Sequence, residues 1–133
     1  MNIKIISQPF EKFLRNPSSF EINDEDYEDW NTGARSIYEI PNSFMFEIQV
    51  LSGNKKIKFI SYILGAIYYE KEFILSVADF NTIDNKFKSM IIKWLHDKLN
   101  EKDILFSIAD LNRRNRDKFW NEMFKDRYIE NVY

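Results

Sequence analysis

The middle of the chain alternates hydrophobic and polar side chains at the spacing of a β-strand. Residues 44–50, FMFEIQV, place Phe, Phe, Ile and Val at every second position, which predicts a strand with one buried face. Residues 57–69, IKFISYILGAIYY, are apolar at odd and even positions alike, which predicts a central strand covered on both faces. Residues 52–55, SGNK, predict a hairpin between them. A turn at 70–72 then leads into a third strand at 73–80, FILSVADF.

The hydrophobic spacing changes to three and four residues after position 83. It predicts an amphipathic helix from about residue 83 to residue 100. A short helix is predicted over residues 8–16, with Pro9 in its first turn. A last helix carries an apolar face at 119–124. The acidic stretch at 20–30 has helical spacing, with Ser18 or Ser19 as its cap. Residues 35–42 are predicted to be connecting chain or a short edge strand.

Short strands at 2–7, 104–109 and 128–133 complete the order β, α, α, β, β, β, α, β, α, β. The three central strands predict an antiparallel meander, and the β-α-β crossover that follows should be right-handed with parallel strands. We therefore expect an α+β fold with a mixed, mostly antiparallel sheet and helices packed on it. A chain of 133 residues is expected to form a single domain, residues 1–133.

Composition excludes several kinds of chemistry. The absence of cysteine excludes disulfides, a thiolate nucleophile and cysteine-ligated metals. The one histidine, His96, has no serine and orienting carboxylate beside it, so we expect an exposed helix residue and no catalytic or metal-binding role. The first residues lack the pattern of a signal peptide, and the apolar stretch at 57–69 is too short for a membrane span. A soluble, cytoplasmic protein without membrane contact is therefore predicted.

Negative charge is concentrated between residues 20 and 33, although the net charge of the whole chain is only −2. This stretch contains six carboxylates, no basic residue and three aromatic side chains. One interpretation is a solvated acidic helix or loop with Tyr27 and Trp30 turned into the core. The other is a face that attracts a basic protein and supplies apolar anchors. Its residues would be Glu21, Asp24, Glu25, Asp26, Tyr27, Glu28, Asp29 and Trp30.

Two further charged groups have alternative interpretations. Asp79 and Asp110 follow two predicted parallel strands, where they could form a paired-carboxylate site or cap the next helices. A basic cluster at the last helix could bind phosphate or an acidic partner, or pair with nearby acids. It comprises Arg113, Arg114, Arg116 and Lys118. A pI near 5.5 and the lack of aromatic stacking context argue against nucleic acid as a partner.

The element order resembles that of the GNAT family, the acetyl-CoA-dependent N-acetyltransferases, most closely between residues 73 and 124. In that family a glycine-containing loop and the following helix bind the pyrophosphate of coenzyme A. A later strand ends in Asn, with a Tyr seven residues on and a Gly-Phe pair after it. These positions correspond here to Asn112, Phe119 and Met123-Phe124, while residues 80–90 contain no glycine. The resemblance implies acetyl-CoA contacts at Asn85, Lys86, Lys88, Ser89 and Asn112.

Three hypotheses follow. The first is a non-catalytic protein-binding module, a small bacterial or phage inhibitor or immunity protein that neutralises a toxin or another basic protein through its acidic face. It needs no cofactor and no metal, and it is a monomer or a homodimer. The second is a divergent GNAT-family N-acyltransferase that uses acetyl-CoA. The third is a structural or regulatory subunit that dimerises through an exposed sheet edge.

Overall fold

The computed structural model describes residues 3–5, 7–52, 58–76, 85–109 and 119–133. The strands are β1 (Ile3–Ile5), β2 (Phe44–Ser52), β3 (Lys58–Tyr69), β4 (Glu72–Ser76) and β5 (Leu105–Ala109). The α-helices are α1 (Gln8–Arg15), α2 (Asp24–Asn31), α3 (Asn85–Asn100) and α4 (Asn121–Lys125). Two short 3-10 helices span Pro17–Phe20 and Ile37–Glu39.

The described strands form one five-stranded sheet in the order β1-β2-β3-β4-β5. The first four strands are antiparallel neighbours, with Ile48 opposite Tyr62 in the β2–β3 pair. β4 and β5 are parallel, with Ile74 opposite Ser107, and α3 lies between them in the sequence. This arrangement confirms the prediction of an α+β fold with a mixed, mostly antiparallel sheet.

Two residues with left-handed backbone join β3 to β4. Glu70 and Lys71 have φ angles of 49° and 64°, as the central residues of a type I′ hairpin turn do. The predicted turn at 70–72 is therefore shorter than expected, because Glu72 already belongs to β4. Most of the hairpin predicted at 52–55 falls outside the described residues.

The main core lies between one face of the sheet and helices α1, α3 and α4. Phe73 of β4 is fully buried at its centre. The centroid of its ring lies 5.4–6.1 Å from the centroids of five other phenylalanine rings. These belong to α1, β2 and β5, and they are Phe10, Phe13, Phe44, Phe46 and Phe106. One aromatic cluster therefore connects the beginning of the sequence to its last strand.

The opposite face of the sheet is covered over only part of its area. Ile67 and Ile74 are buried there beneath Ile37 and other side chains that precede β2. Ile63 lies on the same face of β3, four residues before Ile67, yet it is 66% exposed. The prediction that residues 57–69 are covered on both faces is thus correct at Ile67 and wrong at Ile63, because the described residues of the second layer pack on the Ile67 end of the strand.

The cap of α2 differs from the prediction. Asn23 precedes the helix, and its side-chain Oδ1 accepts a hydrogen bond from the backbone N–H of Asp26 at 2.8 Å. Ser18 and Ser19 do not cap α2, because they belong to the separate 3-10 helix Pro17–Phe20. Asn23 is one of the residue types favoured at this position, since its side-chain oxygen satisfies a free N–H group of the first turn.

Residues 35–42 form connecting chain, the first of the two predicted alternatives, and contain the 3-10 helix Ile37–Glu39. The three-residue spacing of this helix places Ile37 and Ile40 together in the second layer. The strand predicted at 128–133 is reduced to a single parallel bridge between Val132 and Ile108.

Candidate functional site

Helix α2 carries the acidic stretch and lies against the partly covered face of the sheet. Tyr27 stacks on Tyr69 of β3, with 4.1 Å between ring centroids and 10° between ring planes. Trp30 meets the ring of Tyr133 edge to face at 6.4 Å. Both α2 aromatics are half-buried by these contacts. The side chains expected to anchor a partner therefore pack against the protein itself and offer only their outer edges.

Arg35 compensates two of the six carboxylates. Its Nε donates a hydrogen bond to Asp29 Oδ2 at 2.9 Å, and its Nη2 donates to Asp26 Oδ1. The hydrogen bond to Asp26 is the main cause of the raised pKa of Arg35. Gly33 has a φ of 80° and returns the chain after α2, which brings Arg35 back to the helix. Asp26 and Asp29 are thus fixed within the protein.

The remaining carboxylates of the stretch form an exposed negative surface. Glu21, Glu25 and Glu28 are exposed, and no other described residue forms an ion pair with them. Asp24 is exposed too and accepts a hydrogen bond from the Tyr69 hydroxyl. Glu70 lies close by, since its charge contributes to the raised pKa of Tyr69. We call these five residues the acidic surface.

A cluster of hydrogen-bond donors surrounds the carboxylate of Glu72 at the start of β4. The Glu72 carboxylate accepts hydrogen bonds from the Ser107 hydroxyl, from Asn131 Nδ2 at 3.2 Å and from the Tyr133 hydroxyl at 3.0 Å. Tyr27 of α2 lies close by: burial, and then the charge of Glu72, raises the pKa of Tyr27. This cluster links β4, β5, α2 and the end of the chain. This cluster could not be predicted from the sequence, because its partners lie 35 to 61 residues from Glu72 and leave no local pattern.

The tyrosines on this side of the sheet are held in their protonated form. Burial, then the charge of Glu72, raises the pKa of Tyr133. The hydrogen bond to Asp24, then burial, raises that of Tyr69. Burial also raises the pKa of Tyr27, and it raises that of Tyr68, which lies on the opposite, main-core face of the sheet. Phenols of this kind donate hydrogen bonds at neutral pH, which favours a structural role over proton transfer.

The residues implied by the GNAT resemblance are only partly described. Asn85 and Lys86 are exposed at the start of α3, and the Ser89 hydroxyl donates to the Asn85 carbonyl at 3.1 Å. Lys88 is only 7% exposed, and its Nζ lies 5.8 Å from the centroid of the Phe119 ring. The structure therefore brings a buried cation of α3 against the ring expected in place of the family's Tyr. Asn112 and the loop at 77–84 lie outside the described residues.

The remaining predicted site residues provide less support for a function. His96 is half-buried rather than exposed, because Tyr128 packs on it with 5.2 Å between ring centroids. Its Nδ1 lies 3.3 Å from the Asp97 carboxylate. Within the described ranges, no group of His, Asp and Glu side chains is arranged to hold a metal ion. Besides Asn112, six of the predicted residues lie outside those ranges, namely Asp79, Asp110, Arg113, Arg114, Arg116 and Lys118.

Among the described helices, none combines the length and the apolar character needed to cross a bilayer.

No family model matches the chain. Comparisons with curated proteins and with solved structures also found no match. The acidic surface and the buried Lys88 are thus the two features from which a function can be inferred.

Proposed function

We propose that this protein is a non-catalytic binding module that neutralises a basic protein, such as a toxin, through its acidic surface. The observation that carries this proposal is the exposure of Glu21, Glu25 and Glu28, for which the described part of the chain supplies no ion-pair partner. A small bacterial or phage inhibitor or immunity protein would have this property.

The structure of α2 suits such a role in two ways. The helix is fixed to the sheet by Tyr27 and Trp30 and to the following turn by Arg35, so its exposed charges have a defined arrangement. Fixed charges of one sign attract a basic partner over about 8 Å at physiological salt and accelerate its association. Because the two aromatics are half-buried, we expect affinity to depend on charge more than on apolar anchoring.

Replacing Glu21, Glu25 and Glu28 together by glutamine tests the proposal. Glutamine keeps the size of each side chain, and these positions are exposed, so α2 should remain folded. We expect the dissociation constant of the partner complex to rise about tenfold at low salt, with most of the change in the association rate. Asp26 and Asp29 stay unchanged, because their loss would free Arg35. Surface plasmon resonance at several salt concentrations gives both rates.

A matched control carries glutamine at Glu11, Glu101 and Glu122, which are equally exposed but lie outside the acidic surface. It changes the net charge by the same amount. The partner is first identified by affinity capture from the native host, with wild type, triple variant and control used in parallel. A partner that the triple variant binds as tightly as the control does would rule out the acidic surface.

The strand order favours a second candidate, a divergent GNAT-family N-acyltransferase that uses acetyl-CoA. Four antiparallel strands, a crossover through α3 and a parallel β5 follow the order expected from that resemblance. Lys88 would add a cation near the start of α3, where the family binds pyrophosphate. Against this candidate stand the missing glycines at 80–90, the lack of a hydroxyl on Phe119 and the bulk of Met123.

Thermal unfolding with and without about 1 mM acetyl-CoA separates the two candidates. A ligand bound only by the native state at about a hundred times its dissociation constant adds about 2.7 kcal/mol to the free energy of unfolding. We expect no change in the midpoint, because a binding module of the first kind has no site for the cofactor. A rise of several degrees that is lost in Lys88→Met would instead favour the acyltransferase.

A further inference from the structure

The last six residues of the chain lie along the outer edge of β5. The backbone N–H of Glu130 donates to the Phe106 carbonyl at 2.7 Å. The backbone N–H of Ile108 donates to the Asn131 carbonyl at 3.0 Å, and the backbone N–H of Tyr133 donates to the Ile108 carbonyl at 2.9 Å. We call residues 128–133 the strap. It occupies the backbone groups that an edge strand otherwise leaves free.

The side chains of the strap connect this edge to the acidic helix. Tyr133 and Asn131 both donate to the Glu72 carboxylate. The ring of Tyr133 contacts that of Trp30 edge to face, with 6.4 Å between the ring centroids. One residue of the strap thus contacts Trp30, which is one of the two aromatic side chains that attach α2 to the sheet.

None of the residues of helix α2 is fully buried. Tyr27 and Trp30 contact each other at 5.9 Å between ring centroids and pack on the isoleucine cluster of the second layer. The helix is also held by the stack of Tyr27 on Tyr69, by the hydrogen bond from Tyr69 to Asp24 and by the ion pairs with Arg35. Removing Tyr133 would take away one of the two ring contacts of Trp30 and would leave Glu72 without its tyrosine donor.

We propose that the strap is a displaceable element that controls the position of α2, so that its release loosens α2 and uncovers the edge of β5 together. The strap forms three backbone hydrogen bonds with β5 and buries one side chain completely, Ile129, so its release would break few contacts compared with unfolding of the sheet. Its consequence for partner binding rests on the function proposed above. The mechanical coupling between strap and helix does not.

Hydrogen exchange measured by mass spectrometry on Tyr133→Ala tests this coupling without any partner. We expect amide exchange in α2, including the bonded N–H groups of Tyr27 and Thr32, to accelerate about tenfold. Exchange of the Asn16 N–H at the end of α1 should stay at the wild-type rate, since Tyr133 forms no hydrogen bond or ring contact with α1 in the described part of the chain. Tyr133→Phe, which keeps the ring and loses the hydroxyl, should give a smaller acceleration.

Tyr38→Ala is the matched control, because Tyr38 is a tyrosine with 67% of its surface exposed and lies outside the strap. The proposal is overturned if α2 exchanges at the wild-type rate in Tyr133→Ala, or if α1 and α2 accelerate equally, which would indicate a general loss of stability. Failure of the glutamine variants to weaken partner binding would refute the proposed function and leave this result unaffected.

Discussion

Replacing Phe73 with alanine is expected to reduce the free energy of unfolding by about 3–5 kcal/mol. The side chain is fully buried, and five phenylalanine rings surround it. Alanine would leave a cavity that these rings cannot fill without leaving their present packing, so the loss of burial and the cavity both contribute. A domain of this size has a total stability of about 5–15 kcal/mol, so this one change removes a large part of it.

Thermal unfolding followed by circular dichroism measures the effect, and we expect the midpoint to fall by about 10–20 °C. Phe73→Leu should give a smaller decrease, because leucine fills part of the space. Tyr38→Ala, at a position that is 67% exposed, should stay within about 0.5 kcal/mol of wild type. A Phe73→Ala protein as stable as this control would contradict the packing of the aromatic core.

Raising the pH above about 10 is expected to destabilise the protein steeply. Tyr27, Tyr68, Tyr69 and Tyr133 have pKa values raised above the ordinary value of 10.0 in the folded state. The unfolded chain therefore releases these protons at a lower pH than the folded chain does. The contribution of the four tyrosines to stability is fully present below pH 10 and is lost as the pH rises through their folded values.

Urea unfolding at a series of pH values between 8 and 12 measures this dependence. The double variant Tyr69→Phe/Tyr133→Phe should show a shallower decrease above pH 10, because it lacks the two phenols with the largest raised pKa values. Comparing the two proteins removes the contribution of lysine titration, which is common to both. Identical slopes would show that neither phenol is held in its protonated form by the fold.

Much of the sheet could be predicted from local sequence. Alternation at 44–50 located β2, and the change to helical spacing located α3, because each pattern records which side chains face a core. The exposure of Ile63 could not be predicted in the same way. An apolar residue on the second face of a strand does not indicate how far the covering layer extends, and here that layer ends before Ile63.

The contacts that fix the candidate site were harder to predict. Six carboxylates in one stretch are visible in the sequence, but their division into paired and exposed groups depends on Arg35. That residue returns to α2 only because of the turn at Gly33. Glu72 likewise reads as a turn residue, and its partners Ser107 and Tyr133 reach it only through the parallel pairing of β5 and the strap.

The aromatic cluster around Phe73 also affects how the protein folds during its synthesis. Phe106 belongs to β5, which pairs in parallel with β4 and must therefore wait for the whole of α3. A nascent chain that has emerged from the ribosome only as far as β4 contains the antiparallel meander. It lacks β5 and the side chains that β5 contributes to the core. Until β5 arrives, several phenylalanine rings remain open to chaperones and to aggregation.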